Sequence, residues 1–355
     1  MDTLESSISP RRATLLARLA AERSNLLQQL EGVGETALAR DLVYEGWSLP
    51  AMLGHIAYWD AFAADRLAKL ADGRRDDIQP LAVGEDTLDA RNAALRQRFA
   101  ALPFAQAVAM CQKERRGLLL ALSRLSEDAL FRRVRLRPGW QATPASWAGA
   151  PYVHDAQHSA DLARWRANYP PDDLALRVIH RALLRPLLGL SRAEFLALAA
   201  LIPSGEREAR PIEGEWTLKQ VLGHLSDYER LGVVALRQVA ARREPAYERT
   251  IEEFEAFNAE RGLVWAVLPW AEVWAQFIAT RRALLEVALG LDNTALTQPF
   301  TAPWLSTTTA CGYLLDMAGH EQEHADALRP VLGLSLIHIS EPTRRTPISY
   351  AVFCL

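Results

Sequence analysis

The chain has 355 residues, of which half are hydrophobic and 23% charged, and its net charge at pH 7 is −3. That is a soluble globular composition, and it is long enough for about two domains, because single cores stop growing near ~250–300 residues. Nearly balanced charge gives no reason to expect nucleic acid or an acidic membrane as partner. No apolar run reaches the ~20 residues of a membrane span. The opening MDTLESSISPRRATLL lacks a secretory pattern, and three cysteines without a motif fit a reducing compartment. A cytoplasmic protein with no membrane partner is expected.

Taken in chain order, leucine and alanine at helical spacing predict a first helix over about 10–31. Ser48 then reads as an N-cap with Pro50 in the first turn of a second helix, which carries His55. A long third helical segment is expected from about Thr87 to Leu122, interrupted at Pro103. A fourth helix carries His154 and His158. The pattern then repeats. GWSLPAMLGHIAYWD aligns with EWTLKQVLGHLSDYE at an offset of 169, placing Trp47 on Trp216, Gly54 on Gly223 and His55 on His224. Farther on the offset is 166, placing Asn92 on Asn258, Arg115-Arg116 on Arg281-Arg282, and His154 and His158 on His320 and His324. Thr217 and Gln220 have capping-box spacing in the second copy.

Few alternating apolar runs occur, so a β-rich fold is not expected. The fold class is all-α, with two tandem four-helix bundles of up-down type. The domains are expected at 1–168 and 169–333, joined near the turn-rich NYPPDD of Asn168 to Asp173. Residues 334–355, LSLIHISEPTRRTPISYAVFCL, read as translated sequencing adapter. On that reading the native chain is cut short near Gly333, and His338 and Cys354 carry no meaning.

Six of the eight histidines form one arrangement used twice. Each copy has one His in the second helix and an i, i+4 pair in the fourth. Residues four apart share a helix face, so His154/His158 and His320/His324 can each grip one ion. His55 and His224 then complete two three-histidine groups that leave coordination positions open, as catalytic rather than structural sites do. The two copies have diverged at most other positions and kept all three histidines.

These residues carry a resemblance. LGHIAYWD with HDAQH, and LGHLSDYE with HEQEH, resemble the DinB/YfiT-like superfamily of metalloenzymes, once per half of the chain. The resemblance implies four-helix bundles that bind a divalent ion such as zinc, nickel, iron or manganese at His55, His154, His158 and at His224, His320, His324. It implies frequent dimers, so the two halves could form an internal pseudo-dimer. Some members are thiol-dependent transferases using bacillithiol or mycothiol, some are linked to stress responses, and many have no known activity. The implied function is attack on a small-molecule electrophile by a metal-activated water or low-molecular-weight thiol. The alternative is a non-catalytic metal-binding or stress-response helical module.

His320-Glu321-Gln322-Glu323-His324 also matches the HExxH signature of zinc proteases, with Glu321 as the would-be base. The sister copy has Asp155 in that place, and His224 supplies a third ligand by repeat logic, so the protease is the minor reading. Asp60 and Glu229 match between copies and are expected as solvated helix residues paired with arginine, in preference to acceptors that orient an imidazole. Asn92 and Asn258 are expected to cap the third helix rather than face the site. Trp47 and Trp216 read as packing anchors more than pocket walls. Cys111 and Cys311 do not match between copies, which argues against a shared thiol nucleophile. His180 stands outside the pattern.

Overall fold

The computed structural model describes residues 8–78, 87–137, 140–167, 177–247, 253–303 and 307–334. The expected linker over Asn168–Asp173 and the tail from Ser335 onward lie outside the described residues. Thirteen α-helices are described: α1 Pro10–Gln28, α2 Glu35–Arg40, α3 Leu49–Ala71, α4 Leu88–Phe99, α5 Phe104–Ser123, α6 Glu127–Phe131, α7 Pro144–Arg166, α8 Arg181–Ala199, α9 Leu218–Ala240, α10 Phe254–Val267, α11 Trp270–Gly290, α12 Asn293–Thr297 and α13 Ala310–Val331. They form two compact units. One is drawn from Asn25–Pro170, the other from Pro171–His338 together with the chain up to Ser24.

Local chemistry accounts for the helix boundaries. The Ser48 hydroxyl accepts from the Ala51 amide at the start of α3, and Pro50 sits in its first turn, where a missing N–H costs nothing. Thr217 and Gln220 close a reciprocal capping box on α9. The third helical segment is broken where proline predicts it, between α4 and α5 at Pro103, and again in the second copy between α10 and α11 at Pro269.

In the unit holding the first copy, α3 packs against α5, α7 and α4. In the second, α9 packs on α11 and α10, and α8 on α13. The core there is apolar and aromatic, built on Phe195, Leu222, Leu225, Trp265, Phe277 and Leu328. Burial of this kind is the main force holding such bundles together.

Among the described residues, four two-stranded antiparallel ladders decorate the helices: β1 Leu42–Tyr44 with β2 Trp47–Ser48, β3 Val134–Arg137 with β4 Trp140–Ala142, β5 Pro211–Glu213 with β6 Trp216–Thr217, and β7 Pro299–Thr301 with β8 Thr307–Thr309. They were not expected from the sequence. The β1–β2 turn is a two-residue loop in which Glu45 and Gly46 both have positive φ, at 39° and 81°, the geometry that suits a tight hairpin. These ladders matter because each of β2 and β6 leads directly into the helix that carries a site histidine. In the second unit β5 also packs on α13.

Candidate metal centres

In each unit three imidazoles converge. His55 on α3 meets His154 and His158 on α7, and His224 on α9 meets His320 and His324 on α13. The Nε2 atom of His154 lies 2.9 Å from His55 Nε2 and 3.0 Å from His158 Nε2. In the second group His320 Nε2 is 3.0 Å from His224 Nε2 and 3.1 Å from His324 Nε2. The shared Nε2 carries either one N–H or one lone pair and can make only one well-directed hydrogen bond, so a hydrogen-bond account leaves one contact in each group unexplained. Two bonds of ~2.0–2.1 Å from a single ion, diverging near a right angle, place their nitrogens ~3 Å apart. The observed spacing fits that geometry, and the residues present fit a divalent ion.

Close packing creates the sites. Gly54 and Gly223 immediately precede the α3 and α9 histidines. A Cβ at Gly54 would stand 2.7 Å from the Phe99 ring, and one at Gly223 would stand 2.2 Å from the Trp265 ring. Only glycine lets these aromatic rings of α4 and α10 seat against the helix beside the histidine. Trp47 and Trp216 close the other side, with ring centroids 4.9 and 5.0 Å from His55 and His224. They are packing anchors and site walls at once.

Burial sets the protonation state. It lowers the pKa of His55 to about 3, with the neighbouring His158 adding to the fall. Burial, then His320 and His324, lowers that of His224 to about 2. His320 falls to about 4, first through burial and then through His324. These rings are neutral at physiological pH and offer lone pairs, the form in which imidazole binds metal.

The outward nitrogens of His324 and His158 are each held by a carboxylate. His324 Nδ1 lies 2.5 Å from Glu213 Oε2 on β5, and this hydrogen bond is the first cause holding the Glu213 carboxyl below its ordinary range. His158 Nδ1 lies 3.1 Å from Asp161 Oδ2 on its own helix. Asn258 accepts from the Tyr228 hydroxyl at 3.3 Å, and as a polar neighbour of His224 it works against the fall in that ring's pKa. Partners of this kind fix the ring orientation of a ligating histidine. Glu213, Asp161 and Tyr228 were missed from sequence. Asp161 and Tyr228 lie one helical turn from a site histidine, so spacing could have found them; Glu213 is 111 positions from His324 and depends on the hairpin.

Two expectations are corrected. Asn92 and Asn258 do not cap: Thr87 caps α4 and accepts from Ala90, while Asn92 and Asn258 sit inside α4 and α10. Asp60 and Glu229 pair with arginine as expected, but they are buried rather than solvated. Arg115 donates to both oxygens of Asp60, at 3.0 and 3.1 Å, and to Asp155 at 2.7 Å. In the second unit Arg281 reaches Glu229 at 2.6 Å and Glu321 at 2.8 Å, and Arg192 reaches Glu229 at 2.6 Å and also Glu321. Glu321, the would-be protease base, is fully buried in this network and also accepts from Ser191. Burial alone would raise its pKa, but Arg192 and Arg281 bring it below the ordinary value. It is spoken for as a structural anion.

The remaining candidates are structural. Cys111 and Cys311 are both buried; Cys111 donates to the Leu53 carbonyl, and Cys311 accepts from the Ile179 amide. His180 caps α8 through a bond from the Ala182 amide. Beside His320 a cavity of about 350 Å³ opens, lined also by Tyr228, Arg177, Asp316 and Glu323.

The sequence profile of the DinB superfamily matches residues 18–162 and again 187–328. The chain belongs to the DinB superfamily. Both matches span a complete histidine triad, so each DinB-type half carries its own candidate centre. No match is found among the curated proteins or the solved structures. Among the described residues, no helix of this DinB protein is long and apolar enough to cross a membrane.

Proposed function

We propose that this DinB protein is a divalent-metal-dependent enzyme acting on a small electrophile, with a low-molecular-weight thiol or water as nucleophile. The observation that carries the reading is the convergence, twice in one chain, of three imidazoles whose central Nε2, on His154 or His320, lies about 3 Å from the Nε2 of each of the other two. Each group consists of three histidines, which leaves room on the ion for ligands from outside the protein. A bound ion would lower the pKa of a coordinated thiol or water and polarise the electrophile.

The chain's own residues do the rest. Glu213 holds the ring of His324 in the tautomer that leaves Nε2 unprotonated. Trp216 shields His224 on one side. The Tyr228 ring lies 4.9 Å from that of His320 and lines the cavity, and its hydroxyl is fixed by donating to Asn258. A volume of about 350 Å³ suits a small molecule rather than a polypeptide. Which electrophile is attacked, and whether thiol or water attacks it, are parts of the proposal to be read from assay.

The test is turnover of the metal-loaded protein with small electrophiles, with and without low-molecular-weight thiols. Metal- and thiol-dependent consumption, lost in His320→Ala, supports transfer; metal-dependent consumption without thiol supports hydrolysis. Metal binding with no turnover of any electrophile would make the chain a binding module instead.

A further inference from the structure

We propose that the two centres are not equivalent: the second, at His224, His320 and His324, is the tight metal site, and the first, at His55, His154 and His158, is a weaker, exchangeable one. This rests on the reading of both triads as metal centres. The difference lies at the helix-two histidine. An ion on Nε2 requires the imidazole proton to sit on Nδ1, and a buried Nδ1–H needs an acceptor.

In the second centre neither nitrogen of His224 is left buried without a partner. Tyr228, whose ring lies 4.6 Å from that of His224, donates its hydroxyl to Asn258 Oδ1 at 3.3 Å and so holds the asparagine that acts on this histidine. In the first centre the equivalent atoms are both stranded: His55 Nδ1 and Asn92 Oδ1 are buried and neither has a hydrogen-bond partner. Trp59 occupies the place of Tyr228 and has no hydroxyl with which to hold the asparagine. Without metal, His55 can keep its proton on Nε2 and donate to His154, 2.9 Å away. Taking up an ion breaks that bond and moves the proton to a nitrogen with no acceptor. His224 meets no such obstacle.

Each fourth-helix pair has a carboxylate on an outward nitrogen, Asp161 on His158 and Glu213 on His324, so support of that kind is present in both centres. The contrast lies at His55 and His224.

Zinc titration of the metal-free full chain against a chromophoric chelator tests the proposal, using His55→Ala to isolate the second centre and His224→Ala to isolate the first. The second centre should bind at least about tenfold more tightly, the range over which supporting contacts change metal affinity. In the His55→Ala background, Asn258→Leu should erase that advantage and Asn258→Asp, which keeps an acceptor, should retain it. Asn92→Leu should leave the first centre's affinity within about twofold, since its oxygen holds nothing there. Equal affinities at the two centres, or Asn258→Leu binding as tightly as its parent with helicity intact, would overturn the inequivalence and leave the metal reading standing. No zinc at either centre would overturn both.

Discussion

Buried histidines held neutral, one in the first centre and two in the second, make the metal-free protein sensitive to acid. The folded pKa values of His55, His224 and His320 are about 3, about 2 and about 4, against ~6.5 in an unfolded chain. Between those values the unfolded chain binds protons that the folded one refuses. Stability is therefore fully present above ~6.5 and is lost as pH falls toward the folded values. Urea denaturation of metal-free protein should give a lower midpoint at pH 5.5 than at pH 7.5, and replacing His224 with a neutral residue should flatten the difference. An unchanged midpoint would show that the rings are solvated. The buried arginine–carboxylate network makes a second prediction. Arg281→Met leaves Glu229 and Glu321 with fewer partners and should cost about 3–5 kcal/mol in denaturant unfolding, as loss of one member of a buried ion pair does. A cost below about 1 kcal/mol would place these acids in solvent.

The helices show which parts of the fold were readable. Caps at Ser48 and Thr217 and the break at Pro103 depend on a residue and its immediate neighbours, and all three were predicted. The triads were readable because an i, i+4 pair fixes a helix face and the repeat supplied a third member. The hairpins were not, since strands of two to four residues are too short for alternation to show. Nor were the partners that those hairpins deliver, such as Glu213 on His324. The burial of Asp60 and Glu229 was misread because acids on helices are usually solvated, and only packing against Arg115 and Arg281 reveals otherwise. Glycine is the sharpest test of the packing. Gly223→Ala would drive a methyl group into the Trp265 ring, so it should destabilise by about 1–3 kcal/mol and weaken metal binding at His224. The same change at Gly189, with nothing within 4 Å of its Cβ, should be neutral or stabilising, because alanine is the better helix former. Equal effects at the two positions would contradict the close approach of α10 to α9.

For the molecule as a whole, duplication sets the chemistry apart from the scaffold. Cores of this size do not need an ion to fold, so stripping metal with a chelator should leave the helical circular dichroism signal intact. The two halves share the histidine triad, the tryptophan and glycine beside it, and the buried arginine between two acids. The triad is the central claim. Its most direct test is elemental analysis of untagged protein beside His158→Ala, His324→Ala and the double variant. The expected result is about two metal equivalents per chain, falling to about one in each single variant and to none in the double. Protein that carries no metal after anaerobic reconstitution, or variants that bind as much as the parent, would contradict the two-centre account.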